Sequence, residues 1–196
     1  MPNTIAPNPS PSREGLTFAK IWRFISLPFF PAKLKTYMAV KRFEEIPVQR
    51  LIEDGVKGVL VDADGTLGTH LTQEYPESVV QHIREMIDNG LRVAIYTNAP
   101  ENRFQQFQGA SIVTQVPAKP DQRGFRIAME QYLNVEDPAK VCMIGDNYIT
   151  DGGAIALGMK FIHVQPIKGK EKFIHRSTRF IAYLFARIYS GNSFRI

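Results

Sequence analysis

Cysteine is almost absent: Cys142 is the single one in 196 residues, so neither a disulfide framework nor a Cys-rich zinc module can be built. No apolar run approaches the ~18 uncharged residues of a membrane span. The longest near the N-terminus, Phe24 to Ala32, has nine residues and contains Pro28 and Pro31. The first 15 residues lack the basic segment and uninterrupted apolar stretch of a secretory signal. With Pro2, Pro7, Pro9 and Pro11 among Asn and Ser, they read as a disordered leader. Acidic residues are nearly missing from both ends. Residues 1–43 hold Glu14 against seven Lys/Arg, and residues 160–196 hold Glu171 against eight.

What is present is an acidic centre between those basic flanks, with seventeen Asp/Glu against nine Lys/Arg in residues 44–159. Such asymmetry points to a polyanionic partner, membrane headgroups or nucleic acid. A hydrophobic share of 44% is enough for a core and excludes wholesale disorder.

Four regions follow: the leader 1–15, a basic amphipathic segment 16–43, a core domain 44–168, and a basic amphipathic helix 169–196. In the first amphipathic segment Phe18, Ile21, Trp22 and Phe24 interleave with Lys20 and Arg23. In the second, Phe180, Ile181, Leu184, Phe185 and Ile188 share one face, while Arg176, Arg179 and Arg187 lie largely on the other.

The centre alternates strand and helix signals. Short apolar runs at 57–62, 91–97, 111–114, 141–144 and 161–164 predict five strands. Helical spacing predicts helices over 76–89, around 101–108, over 124–133 and over 149–157. Continuous apolar strands alternating with helices imply a mostly parallel sheet covered on both faces, a three-layer α/β/α fold of Rossmann type. Ligands bind at the carboxyl ends of such strands. Those ends carry Asp62-Ala-Asp64-Gly-Thr66, then Thr97-Asn98, then Lys119 in a loop, then Gly145-Asp146, with Asp151 five residues on.

This set suits phosphoryl transfer. Asp62 can attack phosphorus and form an aspartyl-phosphate. Asp64, two residues on, can protonate the leaving oxygen and then activate water. Carboxylates with an open side suit Mg²⁺, and Thr97 and Lys119 can bind phosphoryl oxygens. Each piece alone is equally a turn, a cap, a strand-end threonine or a solvated loop lysine; order and spacing give the set its weight. Tyr148, beside the last motif, is a candidate substrate contact.

DADGTL, YTN, AKP and GDNYITD together resemble the four motifs of the haloacid dehalogenase-like (HAD) phosphohydrolases, over about Val56 to Pro166. The resemblance implies Asp62 as nucleophile and Asp64 as general acid/base, with Thr97, Asn98 and Lys119 on the phosphate. It also implies Mg²⁺ held by Asp62, Asp146 and Asp64 through its carbonyl, with Asp151 in support. Leu67 to Arg92 and Asn98 to Ala118 are too short for a cap domain, so the site is expected to be open and its substrate large. Within subclass IIIA the chain is similar to the YqeG-like branch, which includes phosphatidylglycerophosphate phosphatases. It departs from that branch at Gly65, where Asn is usual, and in its Pro-rich leader.

The resulting expectation is a Mg²⁺-dependent phosphatase dephosphorylating phosphatidylglycerophosphate, peripherally attached to an anionic phospholipid surface and cytoplasmic or organellar rather than secreted. The alternatives are a phosphatase for phosphoprotein or nucleic-acid ends, with nucleic acid the weaker partner, and a non-catalytic membrane-binding adaptor.

Overall fold

The computed structural model describes residues 31–97, 103–113, 115–167, 169 and 173–194. The leader, Trp22 and most of the first amphipathic segment lie outside these residues, as does Asn98.

Six strands form one sheet: β1 Met38–Val40, β2 Gly58–Val61, β3 Arg92–Tyr96, β4 Ser111–Val113, β5 Val141–Gly145 and β6 Lys160–Val164. Their order is β1-β6-β5-β2-β3-β4, and every neighbouring pair is parallel. The chain runs from β2 outward through β3 and β4, then returns to the other side of β2 as β5. The order therefore reverses between β2 and β5, where a crevice opens at the carboxyl ends.

The helices are α1 Val48–Glu53, α2 Glu77–Asp88, α3 Gln122–Ile127, α4 Gly153–Ala156 and α5 Phe173–Tyr189. Alternate strand residues enter two separate cores, as the period of two requires. Val59, Val61, Val93, Ile95, Cys142, Ile144 and Ile162 face α1 and α2, meeting Leu51, Val79, Ile83 and Met86. Leu60, Ala94, Tyr96, Met143 and Phe161 face the other layer, meeting Phe125 and Met129, Ala154 of α4, and Ala182 and Ala186 of α5. The three-layer parallel architecture is the one the sequence predicts.

Three elements differ. β1 is a sixth strand, in a stretch read as part of the basic N-terminal segment; three residues at a sheet edge leave no periodic signal. Residues 103–110 form turns instead of a helix, with Phe104 and Phe107 buried against Tyr75. The helix read over 149–157 is only α4; the residues before it form hydrogen-bonded turns, Asp151 N–H donating to Asn147 O and Gly153 N–H to Thr150 O. Helix α2 keeps its predicted limits: Pro76 precedes it, and Gly90, at φ +85°, follows its C-cap Asn89.

Candidate active site

Asp62 leaves β2 at the crevice, and its N–H still donates to Ile144 O of β5 at 2.9 Å. The chain then turns tightly. Gly65 takes φ +94° and donates to Gly68 O at 2.7 Å. A Cβ at residue 65 would overlap Asp146 Oδ2, so the turn closes over that carboxylate only because the residue is glycine. Thr97 ends β3 and is buried, and Asp146 ends β5 and is buried. Lys119 arrives from the loop between β4 and α3.

Lys119 joins two of the acids. Its Nζ is 2.7 Å from Asp62 Oδ1 and 2.6 Å from Asp151 Oδ1, and it sits 5.5 Å from the Tyr96 ring centroid. Tyr96 is itself fixed by its hydroxyl, which donates to Pro117 O at 2.7 Å. Asp151, fully buried, accepts the Asn147 N–H at 3.2 Å. Carboxylate oxygens of Asp62, Asp146 and Asp151 all lie within 4.8 Å of one another.

Burial raises the Asp62 pKa to about 7, with Asp151 and Asp64 adding to the effect and Lys119 opposing it. Burial likewise holds the Asp146 pKa well above the usual carboxylate range, while Arg179 opposes it. For Lys119 burial works against the charge, but Asp151 and Asp62 outweigh it and raise the ammonium pKa. Carboxylates shifted by burial beside a specific charge partner are concentrated at functional sites.

The structure thus brings Asp62, Lys119, Asp146 and Asp151 together, with Thr97 at the neighbouring strand end. Asp64 stands at the rim, half-exposed, and its carboxylate is not in the three-acid group. Instead Arg103 Nη2 lies 3.0 Å from Asp64 Oδ1, near enough for charge pairing without an aligned hydrogen bond. Arg103 also donates to Thr72 O at 3.1 Å and Thr69 O at 2.9 Å, tying the segment after the turn to the site. Tyr148 is fully buried: it stacks on His163 at 5.1 Å, and its hydroxyl shares a hydrogen bond with Thr36. It is a core residue and does not reach substrate.

Sequence reasoning misses two residues. Arg103 lies in a stretch read as helical, and nothing in the motif spacing marks it. Arg179 is assigned to the basic face of the C-terminal helix, yet its Nη1 lies 2.6 Å from Asp146 Oδ2. Helix α5 packs through Ala182 and Ala186, with Arg179 and Tyr183 on the same side. Phe180, Ile181, Leu184 and Ile188 remain exposed. Phe185, read on the same face as these four, instead packs against the core beside Ala182 and Ala186, whose small side chains allow close approach to the domain.

A family model described as hydrolase, haloacid dehalogenase-like hydrolase, matches residues 40–158. "Probable phosphatase YqeG" of Bacillus subtilis (strain 168) is 30% identical over 145 residues, covering 71% of this chain and 82% of that protein. An NMR structure of the core domain of a protein designated a phosphoglycolate phosphatase, from Streptococcus pneumoniae TIGR4, shares 17% identity. It covers 64% of this chain and 96% of that one, with a TM-score of 0.41.

Proposed function

The chain belongs to the haloacid dehalogenase-like hydrolases, and from that premise we propose that it hydrolyses a phosphomonoester through an aspartyl-phosphate on Asp62, the substrate being phosphatidylglycerophosphate at a membrane surface. The observation that carries the chemistry is the buried junction of Asp62, Lys119 and Asp151, at 2.7 and 2.6 Å, beside Asp146 at the switch point of the sheet.

In the first step an Asp62 oxygen attacks phosphorus. The P–O bond to the alcohol breaks, and Asp64 gives its proton to the leaving oxygen. In the second step water attacks the same phosphorus and Asp64, now a carboxylate, takes its proton. The bond between Asp62 and phosphorus breaks, releasing inorganic phosphate. Lys119 and Thr97 hold the phosphoryl oxygens. Lys119 also lowers the Asp62 pKa, opposing the burial that raises it. Asp151 fixes Lys119, and Arg103 holds the Asp64 carboxyl and the main chain at Thr69 and Thr72.

The residues fit a divalent cation. Three carboxylates converge, and the buried Thr66 Oγ1 has no hydrogen-bond partner among the described residues. All-oxygen donors of this kind suit Mg²⁺. Asp62, Asp146 and the Asp64 carbonyl would hold it, with Asp151 in support. Bound there, the ion neutralises charge on the transferring group.

Three features support a lipid substrate. One flap and α2 are all that separate Leu67 from β3, so among the described residues no cap domain stands over the site. Both flanks are basic. The exposed face of α5 presents Phe180, Ile181, Leu184 and Ile188, and no described helix is long and apolar enough to cross a membrane. An amphipathic basic helix of this kind lies on an anionic bilayer surface. The test is phosphate release from phosphatidylglycerophosphate in mixed micelles with Mg²⁺, comparing wild type with Asp62→Asn. Release abolished by the substitution supports the reading. Asp62-dependent turnover of an aryl phosphate with none of the lipid keeps the phosphatase and removes the lipid.

A further inference from the structure

Beside the acid cluster, at the carboxyl ends of β1 and β6, a second cavity of about 330 Å³ opens. Lys41, Arg187, Tyr183, Gln165 and His163 line it, together with Glu45. The Glu45 carboxylate is already committed: Oε1 pairs with Arg42 Nε at 3.1 Å, and Oε2 accepts the Lys41 N–H at 3.1 Å. Lys41 and Arg187 have no acidic partner among the described residues. His163 is buried, its ring stacked on Tyr148 at 5.1 Å and against Tyr183 at 5.1 Å. The cavity is therefore a polar recess with two uncompensated positive charges, an anion site by composition.

Its position relates it to the chemistry. Arg179, Tyr183 and Arg187 recur every four residues along one side of α5, spanning about 12 Å. Arg179 touches Asp146 in the acid cluster, Tyr183 packs on His163 at 5.1 Å, and Arg187 reaches the cavity. One helix face thus leads from the reacting centre to the recess. Most of that face, α5 with His163 and Gln165, lies beyond residues 40–158, the range shared with the family model.

We propose that this recess binds a second phosphate of the substrate, a phosphodiester or phosphate carried on the same short polyol as the monoester that Asp62 attacks, so that Lys41 and Arg187 select two-phosphate substrates over simple monoesters. The inference deepens the phosphatase reading and rests on it. The arrangement also separates the two jobs: the acids and Lys119 act on the phosphorus, while α5 and Lys41 measure what is attached to it.

The experiment compares full-length wild type with the Lys41→Ala/Arg187→Ala double variant on three probes: phosphatidylglycerophosphate in mixed micelles, soluble glycerol 1,3-bisphosphate, and p-nitrophenyl phosphate. The expected result is a KM raised about tenfold for both two-phosphate probes, roughly the worth of one charge-assisted contact, with kcat little changed and aryl phosphate turnover unaltered. Recovery of KM in Lys41→Arg/Arg187→Lys supports the charge assignment. A loss confined to the micellar probe overturns the proposal, because the cations would then serve the bilayer alone. Equal losses on all three probes, or no loss on any, overturn it as well. If wild type turns over none of the three, the phosphatase reading fails and this inference with it.

Discussion

Lys119 Nζ lies 2.7 Å from Asp62 Oδ1 and is almost completely buried. This ammonium settles how an aspartate can stay reactive inside a protein. Burial raises the Asp62 pKa to about 7, and Lys119 is the largest opposing influence. Lys119 thus supplies the opposing charge and, by pairing with Asp62 and Asp151 at once, joins the two carboxylates.

Replacing Lys119 by Met tests that coupling. Two buried carboxylates lose their common partner, a change that costs about 3 kcal/mol in comparable buried pairs. Urea unfolding of Lys119→Met is expected to show that loss, and aryl phosphate turnover is expected to fall about 100-fold or more. Unchanged activity would remove Lys119 from the mechanism.

A divalent cation at Asp146 would have to share that carboxylate with Arg179. Among the described residues Lys119 pairs with Asp62 and Asp151, and the Arg179 guanidinium holds Asp146 Oδ2 at 2.6 Å. Arg179→Gln is expected to bind Mn²⁺ about tenfold more tightly, a gain of ~1.4 kcal/mol, by titration calorimetry. Weaker binding in the variant would mean that Arg179 positions Asp146 and does not oppose the ion.

His163 sets a pH dependence of stability. Its folded pKa of about 4 lies below the ordinary 6.5 because the ring is buried. The unfolded chain therefore takes up its proton first, and the stability His163 contributes is complete above pH 6.5 and is lost as pH falls toward 4. The full effect is about 3 kcal/mol. Asp62, raised to about 7, gives the opposite slope over much of the same range. The difference between His163→Gln and wild type isolates the histidine. That difference, from denaturant unfolding at pH 5 and pH 7.5, is expected to shrink at the lower pH; a constant difference would contradict it.

The exposed face of α5 predicts vesicle binding. Phe180 is 58% and Ile188 73% exposed, so changing both to Glu removes apolar contact without disturbing the core. Flotation with phosphatidylglycerol vesicles is expected to lose the double variant while retaining wild type, with aryl phosphate turnover equal in both. Wild type that fails to float at low salt would end the membrane proposal.

Much of this site is legible in the sequence because strand ends are legible. Val59 to Val61, Val93 to Tyr96 and Val141 to Ile144 are continuous apolar runs. The residues at the ends of these strands, Asp62, Thr97 and, after Gly145, Asp146, must then share one rim of a parallel sheet. Gly65 reads as a turn, but the closeness of Asp146 beneath it depends on tertiary packing. Arg103 and Arg179 are hidden for a different reason. An arginine that ends in a buried ion pair has no local pattern to distinguish it from a solvated one. β1 escapes because three residues held by β6 owe their conformation to pairing rather than to propensity.

The measurement closest to the central claim is single-turnover acid quench. Enzyme in excess is mixed with p-nitrophenyl phosphate and Mg²⁺, quenched at early times, digested and sequenced by mass spectrometry. The account predicts a transient phosphate on the peptide containing Asp62, accumulating in Asp64→Asn and absent in Asp62→Asn. Phosphate release with no label on Asp62 at any time, in either wild type or Asp64→Asn, would contradict it.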